Sequence, residues 1–202
     1  MTTTSIRLPK TATGYKSFAR IIEVSKKLFA EKGFLATSTN QIIEEAHVAI
    51  GTFYIYFDDK RAVYDYLLQD YSKQIRKLIQ SSIKDLPTRY EKERVGLKTF
   101  IKFSLNDRLS YRIIWESMFV ERKLFVDYYS SFAVGYQKQL TQALSNDELN
   151  PNVNLETLSF VLMGIANFVG LQIIFKENVT EEEIDQVVDQ VMYILSHGIF
   201  KS

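Results

Sequence analysis

Apolar residues recur along most of this chain at the spacing of one face of an α-helix. In residues 16–32 they are separated by three, four and seven positions, and Gly33 then offers a C-terminal stop. Either Asp58 or Asp59 can cap a longer helix that ends before Pro87. Its predicted buried stripe contains Val63, Leu67, Tyr71, Ile75, Leu78 and Ile79. Both segments are therefore predicted to be amphipathic helices.

The rest of the chain continues this helical pattern. Further helices are predicted at residues 90–106, 111–119, 125–144, 155–176 and 181–197. The three prolines leave long proline-free stretches between them, which favours helices because proline interrupts a helix interior. No stretch alternates apolar and polar residues as a half-buried strand does, and no internal repeat is found. The predicted fold class is all-α.

Two short helices near the N-terminus form a pattern with a defined geometry. Ser38 followed by Gln41 fits a capping box, which begins a helix at residues 39–46. A second helix is predicted at about residues 50–56, after a turn at residues 47–49. Such a helix-turn-helix places the N-terminal residues of its second helix on base edges in the major groove of DNA.

The ends of these helices have the chemistry of a phosphate contact. Hydroxyl groups at Ser38 and Thr39 stand at a helix N-terminus, which is a natural phosphate anchor. Lys60, at the start of the following helix, can hold a phosphate by its charge. Gly51 has no side chain, so it lets the second helix approach DNA closely.

The second short helix is predicted to have one solvent-exposed face and one buried face. Thr52, Tyr54 and Tyr56 have polar tips, whereas Phe53 and Phe57 can turn into the core. Considered alone, the two tyrosines fit a core as well as a DNA contact, and the helix-turn-helix favours DNA contact. The predicted DNA-binding residues are Ser38, Thr39, Ala49, Ile50, Gly51, Thr52, Tyr54, Tyr56 and Lys60.

Charge and composition narrow the function further. The net charge is +1, yet residues 1–32 carry seven Lys or Arg against two Asp or Glu, which suits a polyanionic partner. The chain has no cysteine and only two histidines, so thiolate chemistry is excluded and no metal site is predicted. It lacks a Gly-rich phosphate loop and a G-x-S-x-G motif. We therefore predict no catalytic residue and no cofactor.

Residues 33–67 resemble the DNA-binding region of the TetR family of bacterial repressors, and they read GFLATSTNQIIEEAHVAIGTFYIYFDDKRAVYDYL. The likeness covers about residues 16–68 and rests on the spacing of Gly33, Thr37, Ser38, Ile42, Ala46, Val48, Gly51, Thr52, Tyr54, Phe57 and Lys60. The chain departs from the family at His47, where glycine is common, and His tolerates the left-handed backbone of a turn. It also departs at Ala49 and Ile50, where the family has a small polar and a basic residue. Either side chain can instead touch a thymine methyl group.

The resemblance implies a division of the chain into three parts. Residues 1–15 form a flexible basic tail, residues 16–60 the helix-turn-helix domain, and residues 61–202 a larger domain for ligand sensing and dimerisation. A repressor of this kind binds a pseudo-palindromic operator in double-stranded DNA as a homodimer and is released by a small-molecule ligand. The alternative is a DNA-binding dimer regulated by a protein partner or by no ligand.

The larger predicted domain contains a series of aromatic residues. Most of them are expected in the core, because large aromatic side chains dominate core burial. Their number still permits a cavity for an apolar or amphipathic ligand. The residues predicted to line this cavity are Phe103, Tyr111, Trp115 and Phe119.

Residues 158–175 read LSFVLMGIANFVGLQIIF and contain no charged side chain. Their length reaches the lower limit for a transmembrane helix, which leaves a membrane-associated helical protein as an alternative. Three polar side chains interrupt the segment and no basic cluster flanks it, so we predict a helix that is buried at a core and a subunit interface. Homodimerisation is predicted through residues 155–176 and 181–198. The polar, basic N-terminus does not fit a secretory signal, and a cytoplasmic location is expected.

Overall fold

The computed structural model describes residues 6–199, and most of them lie in α-helices. The helices are α1 (Ala12–Lys32), α2 (Thr39–Glu45), α3 (Ile50–Tyr56), α4 (Lys60–Ile83), α5 (Arg89–Asn106), α6 (Arg108–Val120), α7 (Arg122–Ser145), α8 (Leu155–Ile174) and α9 (Glu181–His197). No β-strand occurs within residues 6–199. The all-α class predicted from the sequence is confirmed.

Helix α1 begins four residues earlier than the sequence pattern indicated. The Thr11 side chain accepts a hydrogen bond of 3.1 Å from the Gly14 N–H and so caps the helix. The pattern placed the start at Lys16 because the first turn contributes nothing to the apolar stripe. Residues 12–15 are therefore helical, which corrects this part of the predicted flexible tail. Residues 1–5 of that tail lie outside the described residues.

The predicted buried stripe of α4 holds at most of its positions. Its fully or almost fully buried members are Val63, Leu67, Tyr71 and Ile75. Leu78 is 44% exposed, which contradicts the prediction, because the stripe continues through Ile79 on the neighbouring side of the helix. Asp59 rather than Asp58 caps α4, since its carboxylate accepts a hydrogen bond of 2.8 Å from the Ala62 N–H.

The first compact unit comprises residues 6–73 and 109–128. Its fully buried side chains include Ile21, Phe29, Ile42, Phe53, Phe57, Val63 and Tyr64. The ring of Phe18 on α1 lies 5.1 Å from the ring of Phe57 and 5.4 Å from that of Tyr56. These aromatic contacts fasten the end of α3 to α1.

The second compact unit comprises residues 74–108 and 129–199. In its core α5 packs against α8 and α9 through Leu97, Ile101, Ile173, Ile184, Val188, Val191 and Met192. Ion pairs between α5 and α9 flank this core, and Arg94 Nε lies 2.8 Å from Asp189. Helix α4 contributes residues to both units, whereas the domain boundary that the sequence predicts lies after residue 60 and stays a prediction.

Helix α8 is apolar on all sides but only partly covered. It contains an 18-residue window of mean hydropathy 1.8, so by length and composition alone it can cross a membrane. One side packs into the second unit through Met163, Ile173 and Ile174. On the other side Phe160 is 47% exposed and Phe168 is 66% exposed. Packing within one chain therefore covers one side of α8 and leaves an apolar face exposed.

Candidate nucleic-acid interface

Helices α2 and α3 are joined by a tight turn, as the sequence predicted. The α3 bounds are the predicted ones, Ile50–Tyr56, and α2 ends at Glu45. Ser38 Oγ accepts a hydrogen bond of 3.0 Å from the Gln41 N–H and so caps α2. The Gln41 side chain donates to Glu45, which corrects the predicted capping box to a simple cap. His47 has a φ of 50°, the left-handed conformation expected for this turn.

Helix α3 has one face buried in the first unit and another face outward. Phe53 and Phe57 are fully buried, as predicted. Ile50 is 64% exposed and Tyr54 is 46% exposed. A Cβ atom on Gly51 would meet no heavy atom within 4 Å, so this position is open as well. The exposed residues Ile50, Gly51, Tyr54 and Ile55 together form the outer face of α3.

Tyr56 lies on the buried face of α3. Its side chain is 7% exposed, and its hydroxyl lies where a Cβ atom on Gly14 would come within 2.9 Å. Because Tyr56 follows Phe53 by three residues, the two side chains share one helix face. The prediction of an outward Tyr56 is therefore wrong. Among the other predicted DNA contacts, the exposed residues are Ser38 and Ala49, and the half-buried residues are Thr39 and Thr52.

The ammonium group of Lys60 is engaged inside the first unit. Its Nζ donates to the Phe34 carbonyl at 2.7 Å and to the Thr37 carbonyl at 2.6 Å. The same nitrogen lies 4.4 Å from the centre of the Phe34 ring. Two of its three N–H groups thus meet carbonyls, and an aromatic face covers the group. This geometry favours a structural role for Lys60, which holds the loop between α1 and α2 in place, over the predicted phosphate contact.

Helix α6 holds the same loop from another direction. Glu116 Oε1 accepts a hydrogen bond of 2.7 Å from the Phe34 N–H, and a Cβ atom on Gly33 would come within 2.9 Å of this oxygen. The Tyr64 hydroxyl donates to the Ile113 carbonyl at 2.6 Å. Burial, followed by the nearby Glu116 carboxylate, raises the pKa of Tyr64 well above its usual range. The phenol, which is protonated at neutral pH in any case, therefore remains a donor at more alkaline pH as well.

The residues predicted to bind a ligand differ widely in their surroundings. In the first unit Tyr111 is 2% exposed, and the Trp115 ring centre lies 6.3 Å from that of Tyr111 and 6.4 Å from that of Phe125. Phe119 is 84% exposed, so its side chain lines no enclosed cavity of that unit. Phe103 is half-buried and belongs to the second unit.

The second unit contains a cavity of about 160 Å³, which eight polar and two apolar residues line. Its lining residues are Gln80, Ile83, Lys84, Arg89, Lys92, Gln139, Gln142, Ala143, Asn146 and Glu148. Arg89 is 6% exposed, and its guanidinium bonds the Glu93 carboxylate and the Gln139 amide oxygen. None of the four aromatic residues predicted for a ligand site lines this cavity.

The helices and contacts above define an all-helical protein with an N-terminal helix-turn-helix. Residues 21–67 match the family model described as bacterial regulatory proteins of the tetR family. This N-terminal part of the chain belongs to that family, as the sequence resemblance implied.

Known relatives match part of this chain, and solved structures have a similar fold. The chain is 36% identical over 97 residues to the uncharacterized HTH-type transcriptional regulator YuxN of Bacillus subtilis, a match that covers 43% of this chain and 33% of that relative. The chain thus spans about a third of that relative's length. The fold is similar to that of the fatty acid degradation regulator FadR from Bacillus halodurans, with a TM-score of 0.79 and 18% identity over 96% of this chain and all of the other. It is also similar to FadR from Bacillus subtilis in complex with stearoyl-CoA, with a TM-score of 0.75 and 18% identity over 91% of this chain and all of that one.

Proposed function

We propose that this chain is a cytoplasmic transcriptional repressor that binds a pseudo-palindromic operator as a homodimer. The observation that carries the proposal is the exposed outer face of α3 opposite its buried face. Phe53 and Phe57 fix the helix to the first unit, so its N-terminal residues point outward, as a helix in the major groove requires. Ile50 offers apolar contact to thymine methyl groups, and the Tyr54 hydroxyl offers a hydrogen bond to a phosphate or base.

The homodimer is proposed to form through α8 and α9. The exposed apolar side of α8 contains Phe160, Val161 and Phe168, and no charge interrupts it. A Cβ atom on Gly164 would meet nothing within 4 Å, so a partner helix can approach closely there. The expected partner at this surface is a second copy of the chain. A pseudo-palindromic operator has two half-sites, and the DNA-binding helices of each copy bind one of them.

We also propose that a small-molecule effector releases the repressor from its operator. Support comes from the fold similarity to FadR of Bacillus subtilis, which was solved with stearoyl-CoA, and from the aromatic residues Tyr111 and Trp115. An effector that binds the DNA-free arrangement more tightly weakens operator binding, and operator DNA must then weaken effector binding by the same factor. The alternative, a DNA-binding dimer regulated by a protein partner or by no ligand, differs in lacking this coupling.

Selection from a random pool of DNA duplexes with the purified full-length protein tests the DNA-binding part. We expect enrichment of a pseudo-palindrome whose half-sites lie near one helical turn apart, about 34–36 Å, or a multiple of it. Footprinting of the enriched duplex should then show two symmetric protected half-sites. Failure to enrich any sequence, with a folded dimer confirmed by sedimentation, would overturn the proposal.

The effector part is tested with stearoyl-CoA as the probe. Trp115 is the only tryptophan of the chain, so its fluorescence reports binding near α6. Quenching of Trp115 together with release of the selected operator supports the ligand-responsive repressor. Quenching without any change in operator affinity disconnects binding from regulation and favours the alternative.

A further inference from the structure

Three of the last four carbonyls of the short helix α3 are satisfied by one residue from the start of the chain. The fourth carbonyl, that of Phe53, accepts a hydrogen bond of 3.0 Å from the Phe57 N–H, which is the ordinary i to i+4 bond at a helix end. The Arg7 N–H donates to the Tyr56 carbonyl at 3.0 Å. The Arg7 guanidinium donates through Nη1 to the carbonyls of Tyr54 and Ile55, at 3.1 and 3.4 Å. Arg7 therefore caps the C-terminus of α3 across 47 to 49 residues of sequence.

The segment before α1 is fixed in a way that keeps Arg7 in place. Pro9 is buried, and a Cβ atom on Gly14 would lie 3.3 Å from the Pro9 Cβ and 2.9 Å from the Tyr56 hydroxyl. The Arg7 Nη2 atom also lies 3.0 Å from the Asp58 carboxylate, just beyond α3. Both charged side chains are about half exposed, so this ion pair adds orientation more than stability.

A helix of seven residues has little stability of its own, because its terminal carbonyls lack partners within the helix. A cation at a helix C-terminus also interacts favourably with the helix dipole. The Arg7 cap therefore acts on the segment that carries the outer face, and loss of the cap allows the last turn of α3 to fray. Tyr54 stands in that last turn.

We propose that Arg7 is a positioning residue for DNA recognition, which caps α3 and sets the orientation of Tyr54. The proposal rests on the proposed function, in which α3 enters the major groove. It differs from a phosphate contact by Arg7, because a phosphate contact contributes equally to every DNA sequence and raises the salt dependence of binding. A positioning residue acts instead on the preference for the operator over other DNA.

Three single variants separate these roles. Arg7→Ala removes the charge and the guanidinium donors but keeps the backbone N–H that bonds the Tyr56 carbonyl. Arg7→Lys keeps the charge and loses the planar guanidinium, whose Nη1 reaches the two carbonyls while Nη2 reaches Asp58. Lys10→Ala is the matched control, because Lys10 is an exposed residue of the same segment and its substitution removes the same charge. Binding of each full-length variant to the selected operator and to a scrambled duplex is measured over a range of salt concentrations.

We expect Arg7→Ala and Arg7→Lys to lower operator affinity by roughly 3- to 30-fold, as the loss of a helix cap does, while affinity for the scrambled duplex changes less. Their salt slopes should stay at the wild-type value, and Lys10→Ala should keep the wild-type preference. Hydrogen exchange should show faster exchange at the end of α3 in both Arg7 variants and unchanged exchange in α9.

Each contrary result has a separate meaning. Wild-type preference and wild-type exchange of α3 in both Arg7 variants would overturn the positioning role. A fall of about one unit in the salt slope of Arg7→Ala, with Arg7→Lys like the wild type, would make Arg7 a phosphate contact and also overturn it. Failure of the wild-type protein itself to bind DNA would overturn the proposed function, and the exchange data would then decide by themselves whether Arg7 holds α3.

Discussion

The Glu116 carboxylate on α6 accepts a hydrogen bond of 2.7 Å from the backbone N–H of Phe34, which lies 82 residues earlier in the chain. Phe34 follows Gly33, whose φ of 85° ends α1 and starts the loop that leads to the Ser38 cap of α2. A single carboxylate thus fixes the start of the segment that carries the proposed DNA contacts. This contact lies within the first compact unit and needs no partner from the second.

Glu116→Ala should therefore destabilise the first unit. The Phe34 N–H loses a charged acceptor in a partly buried site, which costs about 1–3 kcal/mol of unfolding free energy. Glu116→Gln should lose less, because its amide oxygen can still accept the bond. Urea denaturation and hydrogen exchange of residues 33–38 measure both effects. Glu23→Ala, an exposed carboxylate on α1, is the control, and equal losses in Glu23→Ala and Glu116→Ala would contradict the role given to Glu116.

Local patterns in the sequence were sufficient for the helix-turn-helix itself. The α3 bounds, the left-handed His47 and the buried Phe53 all follow from spacing and from residue preferences within a few positions. The misplacement of Tyr56 was a local error, since its distance of three residues from Phe53 already puts it on the buried face. The polar tip of Tyr56 suggests an outward side chain, but the helical period determines which face it occupies.

Contacts between distant parts of the chain were not predictable in this way. No residue pattern in the sequence assigned a role to Glu116, and Arg7 counted only as one charge of the basic tail. Their actual partners are backbone groups 82 and 47 to 49 residues away, and backbone groups leave no trace in residue identity. Lys60 belongs to the same class, because its two acceptors are carbonyls in the preceding loop.

Lys60→Met is expected to affect stability more than the electrostatics of DNA binding. The ammonium group binds two carbonyls and covers the Phe34 ring, so its loss leaves two partly buried acceptors unpaired and costs roughly 1–3 kcal/mol. The salt slope of operator binding should stay at the wild-type value, measured at a temperature where the variant is folded by circular dichroism. A slope lower by about one unit, with unchanged stability, would restore the phosphate contact that the sequence suggested.

Gly51→Ala should change the stability of the protein and its operator affinity in opposite directions. Gly51 is inside α3, and an added Cβ meets nothing within 4 Å, so alanine should raise stability by up to about 1 kcal/mol through helix propensity. The same Cβ enlarges the outer face, and operator affinity should fall by roughly tenfold if α3 lies close against DNA.

The control for this variant is Gly96→Ala on α5. A Cβ there makes ordinary contacts of 3.7 and 3.9 Å with Ile79 and Ile83, so folding should tolerate it and operator affinity should not change. Thermal unfolding and operator titration are measured for both variants. Wild-type operator affinity in Gly51→Ala would show that the outer face does not approach DNA at this position.

Phe168→Glu tests the proposed dimer interface on α8. Phe168 is 66% exposed in the single chain, so a charge there leaves the core of the second unit intact and disrupts an apolar contact with a second copy. We expect sedimentation to show a folded monomer that binds the operator weakly, because a single copy of the DNA-binding domain contacts only one half-site.

The choice of position matters for this test. Val191→Glu is not an equivalent variant, since Val191 is 7% exposed in the core against α5 and a charge there unfolds the unit. Val134→Glu, at a 70% exposed position on α7, is the matched surface control and should remain a dimer, so a Phe168→Glu protein that sediments as the wild-type dimer would remove α8 from the interface.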